Sequence, residues 1–561
     1  MRLSVTHLLA PVCVGLALTA SACTTGEAGS PPRTDEPRPS TSPEPFEPVL
    51  APRVLAEMDL DAKIGQLLVL TAQGTTAEEN AAQIEAYRPG GLIYFDANLT
   101  DAAQIARMSA GLQDLAANQG AGVPLFVGVD QEQGLVARLP VGTRFPDAMA
   151  VGATGDPAMA ELLASTTAAE LTALGINLDY APVADVNTNP DNPVIGIRSF
   201  GSDPDLVAEM AVAEAETYAG AGVVPVVKHF PGHGDTDVDS HTGLPVIDLP
   251  RQTWEAEHLP PFRAAVQAGV DAIMTAHVLM PQLDGSHDPE PATLSPALID
   301  GVLRDELGFD GVVTTDALNM EGVRQTHSDG EVAVRAIEAG VDQLLMPPDP
   351  DAAIAALRGA VDEGRLTEER IDASVLRVLT LKEKRGILTE APPAPADTAA
   401  AEAAVTDPAH AEAARRVAEA SVTLVRNEDG LLPLAEGTRV SVRGEGADRI
   451  AAALAEAGLE VVDSGADVAV VGTNGARGSA AQRVPVESAL AQGTPVVVVA
   501  QGGPYDLEVF PGAGAYLAVY SSVDVSRDAA ARVIAGEMAP SGSLPVDIPG
   551  AGVAAGTGLT F

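Results

Sequence analysis

Aromatic residues are scarce, 3% of the 561, and Trp254 is the single tryptophan. That scarcity disfavours a carbohydrate-binding module built on exposed tryptophan platforms. Basic residues are scarce as well. The chain has 33 Lys+Arg against 78 Asp+Glu, a formal net charge of −45. So acidic a surface repels phosphate backbones and argues against nucleic-acid binding. Cysteine occurs twice, at Cys13 and Cys23. Beyond the N-terminus there is no apolar run long enough to span a membrane, and no coiled-coil or collagen repeat. What remains is ordinary globular composition, 46% hydrophobic and 20% charged. The length suits roughly two to four domains with a large core.

The N-terminus reads as an export signal. Arg2 supplies the positive start, Leu8 to Ala20 are largely apolar, and the small pair Ser21-Ala22 precedes Cys23. This predicts a signal peptide over 1–22. The ending resembles a bacterial lipobox, with Ala20 where Leu is usual, and would leave Cys23 as the lipidated first residue. The alternative is a plain secretory signal. With Cys13 inside the signal, the mature chain would hold one thiol and no intrachain disulfide. Residues 23–50, rich in Pro, Ser, Thr and Glu, predict a disordered tether.

From 51 to 388 short apolar runs alternate with helical patterns. The runs are Ile64–Leu70, Gly91–Phe95, Leu125–Asp130, Ile176–Val186, Val223–His229, Asp271–His277, Gly311–Asp316 and Val341–Met346. Amphipathic stretches such as Leu206–Ala219, Phe262–Ala268 and Ala297–Leu307 lie between them. Strands alternating with helices predict a parallel sheet, and eight of them fit a TIM-type (β/α)8 barrel. A doubly wound open sheet is the alternative. In a barrel the chemistry sits after the strand C-termini, and Asp130, Lys228-His229, His277 and Asp316 all fall there. Residues 389–408 are a Pro- and Ala-rich connector. Residues 409–561 alternate again, with runs Val422–Arg426, Arg439–Arg443, Asp467–Val471, Pro495–Ala500 and Ala515–Tyr520 and a helix near Arg449–Ala457. This predicts a smaller C-terminal α/β sandwich.

The densest chemistry lies in Lys228–His241, where three His, three Asp and one Lys share fourteen residues. A helical two-His zinc site on His229 and His233 is opposed by Pro231, Gly232 and Gly234, and Phe230 stands where that motif needs Glu. A calcium loop on Asp235, Asp237 and Asp239 is opposed by Ser240 at the glycine position and Val246 at the final one. A polar loop with solvated or capping side chains is the plainest alternative. Acid–base chemistry fits better. Asp239 can orient His241 and stabilise its protonated ring, so that the ring gives and takes a proton near neutral pH. A proton donor needs a second group, and Asp316 at a strand end is the candidate. Its alternative role is a helix N-cap.

The string from Lys228 to His241, with Leu244-Pro245 after it, resembles the signature of bacterial β-N-acetylglucosaminidases of glycoside hydrolase family 3. Thr314-Thr315-Asp316-Ala317-Leu318-Asn319-Met320 resembles that family's nucleophile motif. Asp130-Gln131-Glu132-Gln133-Gly134-Leu135-Val136-Ala137-Arg138 resembles its substrate-binding turn, although the family usually has Gly and Arg where Gln133 and Leu135 stand. Ile195–Gly201, Ser421–Asn427 and Ser541–Val546 resemble further segments. The likeness runs in order from about 50 to 550.

The resemblance implies a retaining exo-hydrolase of terminal β-linked N-acetylglucosamine, acting on cell-wall glycans or muropeptides. Asp316 would be the nucleophile and His241, paired with Asp239, the acid and then the base. This departs from the usual carboxylate pair of retaining glycosidases. Asp130, Arg138, Arg198, Lys228 and His229 would bind the sugar, though Arg198 could equally be a buried ion-pair partner. His277 is placed in the core or behind the site as readily as in catalysis. No cofactor or metal is implied, no protein partner is predicted, and the membrane would be met only through Cys23, on the extracytoplasmic face. Phosphorolysis by the same residues is an alternative, because a neutral His repels an incoming anion less than a carboxylate does. A family-3 β-glucosidase or β-xylosidase, and a lipid-anchored glycan-binding protein without turnover, are the others.

Overall fold

The computed structural model describes residues 46–325 and 327–561. The predicted signal peptide, Cys23 and most of the tether lie outside the described residues. Among the described residues no helix is long and apolar enough to cross a membrane.

Eight parallel strands form the first sheet: β1 Leu68–Thr71, β2 Gly91–Tyr94, β3 Phe126–Val129, β4 Leu178–Asp179, β5 Val224–Phe230, β6 Ala272–Thr275, β7 Val312–Thr314 and β8 Leu344–Leu345. They pair in chain order, and β8 returns to β1 through Leu68↔Leu344. Between β7 and β8 the ring closes through the single bridge Thr314↔Gln343 and the Thr315 N–H donated to the Gln343 carbonyl at 3.0 Å. This is the expected barrel, nearly closed, and not an open doubly wound sheet. Val69, Ile93, Phe126, Val226, Met274 and Val312 fill its interior. The outward faces of the strands pack against the surrounding helices.

Part of the acidic surplus has a local job. Asp156-Pro157, Asp203-Pro204, Asp349-Pro350 and Asp407-Pro408 each start a helix, with the Asp side chain accepting a first-turn N–H. Asp satisfies an orphan donor, and Pro at the first helical position has no N–H to orphan.

Three expected elements differ. Ile64–Leu70 divides between the helix Leu60–Gln66, capped by Asp59, and β1. Ile176–Val186 shortens to β4, because Pro182 lacks the N–H that a strand ladder needs, and pairing resumes only as the bridge Val183↔Lys228. The segment 389–408, expected as a plain connector, holds the helix Thr398–Val405 capped by Asp397.

The C-terminal region is a six-stranded sheet: β9 Thr423–Asn427, β10 Arg439–Gly444, β11 Glu460–Val461, β12 Val468–Thr473, β13 Val496–Ala500 and β14 Ala515–Ala518. Its order is β9-β14-β13-β12-β10-β11, parallel except for β9. One face packs on its own helices Ala447–Glu456 and Asp524–Ile534. The other meets Met149, Ala150 and Ala153 of a helix that belongs to the barrel. Backbone bonds cross the same seam, Ser543 N–H to the Ala153 carbonyl and Ser202 N–H to the Pro545 carbonyl, both 2.9 Å.

Candidate active site

A cavity of about 320 Å³ opens at the C-terminal ends of the barrel strands. Asp130 follows β3, Lys228 and His229 close β5, and Asp316 follows β7. These four line the cavity together with Arg138, Arg198 and His241. Sequence positions up to 186 apart (Asp130 to Asp316) thus meet in one site. Asp239 and His277 do not line it; Asp239 contacts His241, and His277 contacts the carbonyl of Ala317, which does.

The floor is held by a chain of buried charges. Lys228 Nζ donates to Asp130 Oδ1 at 3.0 Å and pairs with Glu132 Oε1 at 2.6 Å. Arg198 grips both oxygens of Glu132, Nη2 to Oε1 at 2.7 Å and Nε to Oε2 at 2.8 Å. Burial alone would raise the Glu132 pKa, but the Arg198 guanidinium and Lys228 ammonium hold it far below the usual carboxylate range. Glu132 was not singled out from the sequence, although it lies in the turn. Its signal was a third charge between Asp130 and Arg138. Arg138 itself joins the wall differently, with Nη1 3.9 Å from Asp96 Oδ1 and its guanidinium 5.4 Å from the Phe95 ring centre.

The turn's departures from the family pattern have a structural meaning. Gln133 adopts φ +73°, a conformation that favours glycine. Its side chain offsets the strain by donating to Thr167 Oγ1 at 2.9 Å. Leu135 is 70% exposed, so the second departure leaves the buried charges untouched.

Asp316 is not a helix cap. Turn residues follow it, the next helix starts at Glu321, and its Oδ1 accepts the Ala317 N–H at 2.7 Å. Burial works against its charged form. His229, His277, the Ala317 N–H and the Lys228 ammonium together outweigh burial and hold its pKa below the ordinary value. His277 is fully buried, hydrogen-bonded to Thr293 Oγ1 at 2.8 Å and to the Ala317 carbonyl at 3.1 Å. Burial lowers its own pKa, and its bond to the Ala317 carbonyl supports the Asp316 turn.

The rest of the loop after β5 does two things. His241 Nδ1 lies 2.8 Å from Asp239 Oδ1, which also accepts the His241 N–H at 2.9 Å. Their side chains are 60% and 37% exposed, so this pair sits at the rim. His229 and His233 instead turn inward to Asp185, a fully buried carboxylate absent from the sequence candidates. His229 Nδ1 is 2.6 Å from its Oδ2, and the His233 N–H donates to its Oδ1 at 2.7 Å. The two rings stand edge to face, centres 6.0 Å apart, bonded to separate partners. Gly234 lets this loop pass the barrel, because a Cβ there would lie 1.7 Å from the Val186 carbonyl oxygen.

Residues 59–381 match the glycosyl hydrolase family 3 N terminal domain, more than half of the chain. The chain belongs to glycosyl hydrolase family 3. Residues 451–554 match the family 3 C-terminal domain. Similar family proteins include beta-hexosaminidase A of Pseudoalteromonas piscicida, 37% identical over 66% of this chain and 64% of that protein. A beta-N-acetylglucosaminidase/beta-glucosidase of Cellulomonas fimi is 32% identical over 68% of this chain and 67% of its own length. This chain therefore spans about two thirds of these relatives' length. A solved family 3 beta-N-acetylglucosaminidase from Paenibacillus superposes with a TM-score of 0.80 at 37% identity, covering 88% of this chain and 99% of that one.

Proposed function

We propose that this protein is a retaining exo-β-N-acetylglucosaminidase that removes terminal β-linked N-acetylglucosamine. The observation that carries the reading is the pairing, in one cavity, of a part-buried carboxylate whose pKa is held low, Asp316, with a carboxylate-backed imidazole at the rim, His241 on Asp239. The names of the similar proteins support the glycone. In the first step Asp316 attacks the anomeric carbon while the glycosidic C–O bond breaks and His241 gives its proton to the departing oxygen. A glycosyl ester on Asp316 results. In the second, water attacks that carbon, His241 takes the water's proton, and Asp316 leaves as the free carboxylate. Asp239 stabilises the imidazolium that His241 carries before the first step and regains in the second. Asp130 accepts from sugar hydroxyls, and Lys228, Arg198, Arg138 and His229 donate to hydroxyls or the acetamido carbonyl.

The signal peptide read over 1–22, with Cys23 directly after it, supports a lipid-anchored enzyme on the extracytoplasmic face, with peptidoglycan-derived fragments as its source of N-acetylglucosamine. Incubating the protein from residue 24 onward with an aryl β-N-acetylglucosaminide, with and without phosphate and beside Asp316→Ala, tests the reading. Release that depends on Asp316 is expected. Free sugar as product selects hydrolysis, and sugar 1-phosphate selects the phosphorylase alternative. Faster turnover of the matching glucoside would overturn the choice of glycone. Binding without any release would replace the enzyme by a glycan-binding protein.

A further inference from the structure

Asp239 and His241 are half-exposed, and a loop that exposed has little of its own to fix its position. The residue between them is buried. Ser240 Oγ shares a 2.9 Å hydrogen bond with His233 Nε2, and its carbonyl accepts the Gly322 N–H at 3.1 Å. A Cβ on Gly322 would fall 2.8 Å from that carbonyl oxygen and 2.9 Å from that of Gly243, so only glycine lets the turn come so near. His233 is fixed in turn by Asp185, which also holds His229 in the cavity wall. One buried carboxylate therefore bonds both to a ring that lines the cavity and to the residue whose ring grips the loop.

We propose that Ser240 and His233 are positioning residues, and that their side-chain contact sets the register of the Asp239–His241 loop over Asp316. The inference rests on the glycosidase reading above. A general acid acts only within hydrogen-bond reach of the departing oxygen. A misplacement of about 1 Å can cost on the order of 10²-fold in rate. Burial brings the His233 pKa down to about 4, so its ring is neutral and the contact keeps one form across the neutral range.

Leaving-group dependence separates register from structure. A 2,4-dinitrophenyl leaving group departs without a proton, whereas a sugar leaving group needs one. kcat/KM covers only the steps up to glycosyl-enzyme formation. For Ser240→Ala we expect kcat/KM on an N-acetylglucosaminyl disaccharide to fall by roughly tenfold or more. On the dinitrophenyl N-acetylglucosaminide the fall stays within about threefold, since Asp316 and the sugar contacts are intact. His233→Gln, which keeps a polar group facing Ser240, falls between Ser240→Ala and wild type. Equal losses on both substrates would mean a general structural role, and no loss on either would mean the contact is idle. Each result overturns the inference while leaving the glycosidase reading in place. A wild-type protein inactive on both substrates would overturn that reading, and this inference with it.

Discussion

Lys228 and His241 belong to the same fourteen-residue string, yet their surroundings are opposite. Lys228 is 3% exposed and tied to two carboxylates, one of which is doubly held by Arg198. His241 is 60% exposed with one side-chain partner. On the proposed function the floor recognises one sugar in one pose, and buried ion pairs fix donors and acceptors before the ligand arrives. On the proposed mechanism the rim hands a proton to a leaving group that lies partly outside the protein and then takes one from incoming water. An exposed imidazole can do both. The difference predicts that floor substitutions unfold the protein while rim substitutions silence it.

His241→Ala gives the largest effect, a loss of roughly 10²–10⁴-fold in turnover of sugar leaving groups. The melting temperature barely moves. A large drop in melting temperature would erase the contrast. Glu132→Gln is the converse. It leaves Arg198 without its carboxylate and Lys228 with Asp130 alone, at a cost of about 3–5 kcal/mol in denaturant unfolding. A loss well below that range would show the floor to be less dependent on charge than its geometry implies.

The third prediction concerns pH. Asp179 at the end of β4 is fully buried, accepts the Gln131 N–H at 2.9 Å and has no partner for Oδ2. Burial raises its pKa to about 7. The folded state therefore keeps a proton that the unfolded chain, with a pKa of about 4, has lost. Stability contributed by this group falls as pH rises from about 4 to about 7. Asp179→Asn keeps the acceptor and removes the titration. Its advantage over wild type in urea midpoint should grow from pH 4.5 to 7.5, and a constant difference would refute the assignment. The smallest effect is Gln133→Gly. Relief of about 1 kcal/mol of left-handed strain is set against loss of two side-chain hydrogen bonds, to Thr167 Oγ1 and from the Phe145 N–H, so stability falls by about 1 kcal/mol. KM should stay within twofold.

The barrel was legible because its strands are short apolar runs separated by helical patterns, and four of the runs end in polar residues, Asp130, His229, His277 and Asp316. Asp130, Lys228, His229, His241 and Asp316 were legible as polar residues in loops or at strand ends. Glu132 and Asp185 were not chosen, because what marks them is a partner elsewhere: Arg198 is 66 residues from Glu132, and His229 is 44 from Asp185. Asp185 did leave a trace, as a carboxylate inside the apolar run Ile176–Val186, which burial requires to be paired. Ser240 was read only as an unsuitable calcium-loop residue. Its contact with His233 depends on how the Gly232 and Gly234 turns fold back, which no spacing rule conveys. The shortening of β4 was foreshadowed by Pro182.

The central claim is that Asp316 forms a covalent bond to the sugar. A 5-fluoro N-acetylglucosaminyl fluoride has a good leaving group and a slowed second step, so it should accumulate the glycosyl-enzyme. Mass spectrometry of the protease-digested protein is the direct measurement. The account predicts one added glycosyl mass on the peptide containing Asp316, absent from Asp316→Asn. An adduct on a different carboxylate, or turnover of the fluoride with no adduct on the wild-type protein, would contradict it.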